Sequence, residues 1–262
     1  MSGVAYLMYH ELSRPDRELC NTDPGYTRYV VDETTFRAHV ERLRSDGLRG
    51  LSVSEALSRD ARRADGVAIT FDDGCETDLV GAAPILRDAG FGATFYVTVE
   101  HVGRRGYLSK AQVRELSDLG FEIGSHAMTH RYLHDLPTPE VRRELVDSKR
   151  ALEDMTGRAV VHFSCPGGRW DRRVSRAARE AGYSSLVTSV IGLNSNRTDP
   201  YRLTRVAVMR GMGADAIAHV ARGRGLLRRK AQATALDLAK RVLGNARYEK
   251  LRGAVLRAAA GR

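Results

Sequence analysis

Thr70-Phe71-Asp72-Asp73-Gly74 is the stretch of this 262-residue chain whose reading decides the fold. It sets two adjacent carboxylates at the end of an apolar run, Val67-Ala68-Ile69. A short apolar run closed by a turn signal reads as a buried strand. Further on, Gly124-Ser125-His126-Ala127-Met128-Thr129-His130 places two imidazoles four residues apart, again just past a strand-like segment, Phe121-Glu122-Ile123. One carboxylate and two imidazoles suit a single borderline divalent metal with a position left open for water. The spare carboxylate beside them is then available to take a proton. Each motif alone is weak. An Asp-Asp pair is ordinarily a solvated turn or a helix cap, and a His-x-x-x-His arises by chance more often than as a metal site.

The same strand-then-turn pattern recurs outward from these motifs. Strands are predicted over residues 4–9, 67–71, 93–97, 121–123, 160–163, 185–187 and 203–208. Helices are predicted between and after them, over about residues 32–45, 76–89, 109–118, 138–155, 171–181 and 214–220. Asp32 or Thr34, Ser109 and Thr138 are the expected caps, and Gly90, Gly120 and Gly182 the stops. Repeated alternation of strand and helix predicts an α/β fold with a parallel sheet and helices outside, most economically a closed or nearly closed barrel. Chemistry in such folds gathers at the carboxyl ends of the strands. His10, Asp72, Asp73, His126, His130 and the turn Cys165-Pro166-Gly167-Gly168 all follow predicted strands, so distant pieces of sequence converge on one face.

Hydrophobic content of 42% and charged content of 28% are those of a soluble globular protein able to bury one large core. The three cysteines, Cys20, Cys75 and Cys165, are odd in number and match no zinc or redox spacing, so reduced thiols are expected. No basic leader and no membrane-length apolar run is seen, and the expectation is a cytoplasmic protein. Residues 221–262 carry twelve Lys or Arg against Asp237 and Glu249, which accounts for the whole formal charge of +10. Residues 1–220 are therefore expected to form the catalytic barrel and residues 221–262 a basic helical extension. Leu236, Ala239, Val242 and Leu243 share a helical face there. That face fits either peripheral contact with anionic lipid or a solvated helix packed on the barrel. No nucleic-acid motif accompanies the charge, and nucleic acid is not an expected partner.

Taken together, Thr70–Gly74 and His126–His130 resemble the first two signature motifs of the polysaccharide deacetylases, the NodB-homology family. Gly90-Phe-Gly-Ala-Thr-Phe-Tyr-Val97 and Leu119-Gly-Phe-Glu-Ile-Gly-Ser-His126 match the intervening framework, and the resemblance runs over roughly residues 3–210. It implies a distorted (β/α) barrel and metal-dependent removal of N- or O-acetyl groups from sugars. By motif, Asp72 is the implied general base. Asp73, His126 and His130 are the implied ligands of one divalent metal, zinc by default with cobalt, nickel or iron as alternatives. The third motif is Ser164-Cys165-Pro166-Gly167-Gly168, which makes the Gly167 N–H, next to Pro166, the implied oxyanion donor.

Three departures stand out. Ser164 replaces the arginine that usually orients the base, with Arg205 or Arg169 as substitutes. Gly167 replaces a tyrosine, which is expected to leave more room at the carbonyl site. The later motifs that supply a general acid are not recognisable. His10 at the end of the first strand is expected to fill that role, as in family members with permuted motifs, with His219 a weaker candidate. Trp170 is a candidate sugar-stacking residue against a core role, and Asp78 an expected helix cap. His39, His101, His134 and His162 are expected to be structural or on the surface. The expected function is a metal-dependent deacetylase of an N-acetylated sugar or glycan precursor in cell-envelope or exopolysaccharide synthesis. A same-fold amidohydrolase of a non-sugar amide and a non-catalytic carbohydrate-binding protein are the alternatives.

Overall fold

The computed structural model of the chain describes residues 3–58, 66–227 and 230. The first half runs β1 (Tyr6–Tyr9), β2 (Leu12–Ser13), α1 (Pro24–Thr27), β3 (Val31–Asp32), α2 (Glu33–Ser45), β4 (Arg49–Leu51), α3 (Val53–Leu57), β5 (Gly66–Phe71) and α4 (Ala83–Ala89). The second half runs β6 (Thr94–Val97), α5 (Lys110–Asp118), β7 (Glu122–Ser125), α6 (Thr138–Thr156), β8 (His162–Ser164), α7 (Arg172–Glu180), β9 (Ser185–Val187), β10 (Val206–Ala207) and α8 (Ala214–Ala221). No helix among the described residues is long and apolar enough to cross a membrane. The expected basic extension, residues 221–262, lies outside the described residues except for 221–227 and 230.

The main sheet has the order β10-β1-β5-β6-β7-β8-β9, and β4 adds to the first half of β5. Every pairing in it is parallel. Leu203, shortly before β10, is bridged in parallel to Val187 of β9, so the last segment touches both ends of the sheet. The result is the expected distorted (β/α) barrel.

Period-two alternation explains which residues go where. In β5, Val67, Ile69 and Phe71 face the helices and join the large core. Phe71 stacks between Tyr9 and Phe95, with ring centroids 5.2 and 5.1 Å away. Ala68 faces the other way, into a small apolar floor with Tyr6, Leu51, Tyr96, Val187 and Leu203. Above that floor the inward positions turn polar and remain buried: Thr70, Asp72, Ser164 and Arg205. The sequence Ala68-x-Thr70-x-Asp72 is thus the inner lining of a barrel, and its last position is the first of the two carboxylates.

Local details differ from the sequence expectations. The strand expected over 203–208 narrows to Val206–Ala207. Pro137, not Thr138, occupies the cap position of α6, and Thr138 lies inside its first turn with no side-chain cap bond. Asp32 stands at the cap position of α2 without capping it, because its carboxylate accepts from the Ser13 hydroxyl. Ser109 caps α5 in a full capping box with Gln112. Asp78 opens a π-helical turn, Asp78–Ala82, ahead of α4 and caps nothing.

Buried His39 joins β1 to α8 through the preceding loop. Its Nε2–H donates to Met212 O at 2.7 Å, which leaves Nδ1 to accept from Tyr9 Oη at 3.1 Å. Burial lowers its pKa below the usual histidine value of 6.5 against the opposing pull of Met212 O, so it folds neutral. The stability it gives is complete above the unfolded value of about 6.5 and is lost as pH falls through the lower folded value. His39→Ala is expected to lower the unfolding free energy by on the order of 2–4 kcal/mol, through a cavity and two stranded polar groups. In urea denaturation between about pH 7.5 and 5, the wild-type protein should lose more stability than His39→Gln, which has no such titration. Parallel losses in the two proteins would contradict this role.

Candidate active site

The mouth of the barrel is organised by one buried ion pair. Arg205 is 0% exposed. Its Nη1 and Nη2 donate to Asp72 Oδ1 and Oδ2, each at 2.7 Å. The remaining donors are also used: Nε to Thr188 O at 3.0 Å, Nη1 to Thr70 Oγ1 at 3.2 Å and Nη2 to Ser164 Oγ at 2.8 Å. Five N–H bonds therefore have five acceptors. Ser164 accepts from Arg205 and donates on to Asp72, at 3.2 and 3.3 Å from its two oxygens. Burial alone would raise the Asp72 pKa, but the Arg205 guanidinium outweighs it and holds the carboxyl below the ordinary range. Of the two arginines the sequence offered, Arg205 makes this contact. Arg169 instead stacks its guanidinium over the Tyr132 ring, 4.2 Å from the centroid.

Asp73 leaves the strand with φ +83, in the left-handed region, and so turns toward the mouth its neighbour also faces. One donor atom each of Asp73, His126 and His130 lie within 4.8 Å of one another. His126 Nε2 and His130 Nε2 stand 3.5 and 3.2 Å from Asp73 Oδ1. His126 Nδ1–H donates to Ser164 O at 2.9 Å, which leaves the Nε2 lone pair facing the mouth. Burial pushes the His126 pKa down to about 4, so the ring is neutral as a metal ligand must be. Asp73 Oδ1 is buried with no hydrogen-bond partner. An orphaned carboxylate oxygen between two imidazoles is the donor set a divalent cation fits, so the residues present suit the metal that the motifs imply. The His126–His130 loop is held by Glu144 of α6. Its carboxylate accepts from Met128 N and Thr129 N, both at 2.9 Å, and from Thr129 Oγ1 at 2.6 Å.

The other expected residues are placed as follows. The β1–β5 register Tyr9↔Phe71 sets His10 level with Asp72. The His10 ring packs against Tyr29, with centroids 4.8 Å apart, and its Nδ1 is buried without a partner. Pro166 is buried, and Gly167 is exposed with φ +63. The room expected at position 167 is already taken: a Cβ there would lie 2.6 Å from Tyr132 Cε1. Trp170 packs against the core, with the Arg202 guanidinium 4.9 Å from its ring centroid. His219 is exposed on α8. His101, expected to be structural or on the surface, has its ring 5.7 Å from that of His130. The signal for it was position: it follows β6 at the same strand-end face.

The model of the family described as polysaccharide deacetylase matches residues 59–186. The chain is 30% identical over 214 residues to YxkH of Bacillus subtilis (strain 168), whose name places it among polysaccharide deacetylases; the match covers 80% of this chain and 73% of that protein. It is 33% identical over 124 residues to the peptidoglycan-N-acetylglucosamine deacetylase of Bacillus cereus, covering 47% of this chain and 56% of the relative. The chain thus spans little more than half the length of that second relative. The Streptococcus pyogenes deacetylase PplD in complex with acetate superposes with a TM-score of 0.73 at 23% identity, over 84% of this chain and 98% of that one, a likeness of fold.

Arg205→Met would strand the Asp72 carboxylate in a dry site and is expected to cost about 3–5 kcal/mol of stability. With Asp72→Asn already in place, the same change should cost clearly less. Chemical denaturation of the four proteins measures the coupling, and equal costs in both backgrounds would show that the pair is not coupled.

Proposed function

The chain belongs to the polysaccharide deacetylase family, and we propose that it is a metal-dependent hydrolase that removes acetyl groups from an N-acetylated sugar or glycan. The observation that carries this reading is the division of labour between adjacent carboxylates. Asp73 faces His126 and His130 with an unpartnered oxygen, while both Asp72 oxygens are bound by Arg205, one of them 4.0 Å from His126 Nε2. The names of the relatives, peptidoglycan-N-acetylglucosamine deacetylase among them, support an N-acetylated sugar as substrate.

A divalent ion held by Asp73, His126 and His130, zinc by default, would polarise the acetyl carbonyl and make water easier to ionise. The rest of the reaction falls to the chain. Asp72, kept ionised and oriented by Arg205, takes a proton as the water oxygen bonds to the carbonyl carbon. The Gly167 N–H faces the oxyanion that forms, with Pro166 fixing the turn. His10 delivers a proton to the sugar nitrogen as the C–N bond breaks. Acetate and a free amine leave. His10 suits that task because it follows β1 at the level of Asp72 and its buried Nδ1 has no partner within the protein. Tyr132, beneath the Arg169 guanidinium, borders Gly167, and with Trp170 it would hold the sugar.

Acetate release is to be measured with N-acetylated monosaccharides, oligosaccharides and non-sugar amides. Turnover of the N-acetylated sugars is expected, abolished by a chelator and restored by zinc or cobalt. Turnover confined to the non-sugar amides would contradict the proposed substrate class, and no turnover by the metal-replete protein would contradict the activity.

Asp72→Asn should keep the metal and lose at least about 100-fold in kcat, the scale of general-base catalysis. His10→Ala should likewise lower kcat with little loss of metal, whereas His219→Ala should do little. Full activity in metal-replete Asp72→Asn, or in His10→Ala, would assign those proton transfers elsewhere.

A further inference from the structure

A second group of potential ligands lies beside the first and takes no part in the chemistry above. Glu11 follows His10, Cys20 lies in the loop between β2 and α1, and Cys75 closes the turn after Asp73. One donor atom from each lies within 4.8 Å of the others. Cys75 is 0% and Glu11 2% exposed, and Cys20 is half-buried. The Glu11 carboxylate accepts from the Cys20 backbone N–H, at 2.9 and 3.1 Å. Cys75 Sγ lies 3.3 Å from Tyr26 Oη, and Cys20 Sγ lies 2.9 Å from Gly106 O.

An independent observation says what the group lacks. Asp78 is 0% exposed, and neither of its carboxylate oxygens has a hydrogen-bond partner. Burial first, then the neighbouring Cys20, Asp73 and Glu11, push its pKa well up. Every one of those neighbours forms an anion or can form one. The nearby arginines are engaged elsewhere, Arg17 with Glu76 and Arg105 with Glu18. Among the described residues no Lys or Arg pairs with Glu11 or Asp78. Asp78 is left without a hydrogen bond and Glu11 without a cation, and a cation bound beside them would let both carboxylates ionise. Two thiols and a carboxylate select a borderline-soft divalent ion over magnesium or calcium. A cavity of about 640 Å³, lined in part by Glu11, Cys20, Thr77 and Gly106, gives such an ion a way in.

We propose that Glu11, Cys20 and Cys75, with Asp78 adjacent, bind a second divalent ion of the zinc class. It is a brace rather than a reaction centre. It ties the loop that carries Cys20 to the segment just after His10 and to the turn just after Asp73, and so steadies the groups on which the first site depends. Ligands drawn from three separate segments explain why the cysteine spacing matches no zinc motif.

The test is a cobalt(II) titration of the full-length, metal-free protein kept reduced with a phosphine, followed by absorption. Two equivalents should bind, one of them with a near-ultraviolet thiolate-to-cobalt charge-transfer band. The Asp73, His126 and His130 set cannot produce that band. His126→Ala should retain the band while losing the other equivalent. Cys20→Ser/Cys75→Ser should lose the band and one equivalent while retaining the other. Glu11→Gln, which leaves both thiols in place, should keep the band at weaker affinity. A wild-type protein that binds one equivalent without the band would overturn the proposal. So would a band that survives Cys20→Ser/Cys75→Ser, because it would then belong to Cys165.

Discussion

The interaction on which the rest of this structure depends is the bidentate pair between Arg205 and Asp72, sealed inside the barrel. A buried ion pair is a poor source of stability, because desolvating both charges offsets most of their attraction. What it contributes is position. The guanidinium also requires Thr70 on β5, Ser164 on β8 and Thr188 just past β9, and Arg205 itself immediately precedes β10. Four segments of the sheet must be in register before all five N–H bonds find acceptors. A slip of one residue in β5 would turn Asp72 outward and leave Arg205 uncompensated. The polar lining therefore specifies the barrel register, and the apolar residues on the opposite face stabilise it.

Two neighbouring carboxylates can serve different ends only if the strand stops between them. In extended backbone, Asp72 and Asp73 would face opposite sides of the sheet. The left-handed turn at Asp73 brings the second carboxylate round to the mouth. Ala127 and His130 adopt the same region at φ +68 and +62. Such conformations cost on the order of 1–3 kcal/mol each in non-glycine residues and persist where surrounding contacts over-determine them. Here the contacts are visible: Glu144 holds the loop between the histidines, and Val99 N donates to Ala127 O at 3.3 Å. The strain falls at the positions that set the direction of the candidate ligands.

Much of this was legible in the sequence, because strand alternation and strand-end motifs are local signals. Ala68-x-Thr70-x-Asp72 against Val67, Ile69 and Phe71 reads as a two-faced strand, and the convergence of Asp72, Asp73, His126 and His130 follows from their position after strands. The remainder depends on packing between distant segments. Arg205 and Arg169 were equal candidates until the barrel interior placed one of them against Asp72. Tyr132 fills the space over Gly167 from a different loop, which no local pattern at position 167 announces. The strands β2, β3 and β4 span two or three residues each, too few for periodicity to register. Cys20 and Cys75 meet only because a long loop folds back over the turn after β5.

The central claim is that Asp73 holds the metal while Arg205 withholds Asp72 from it for proton transfer. A crystal structure of the zinc-loaded protein with acetate in the mouth tests this most directly. The account predicts an ion bound by Asp73, His126 and His130, with both Asp72 oxygens still on Arg205 and neither on the ion. An Asp72 carboxylate that has left Arg205 to join the ligands, or an ion seated in this mouth without Asp73, would contradict it.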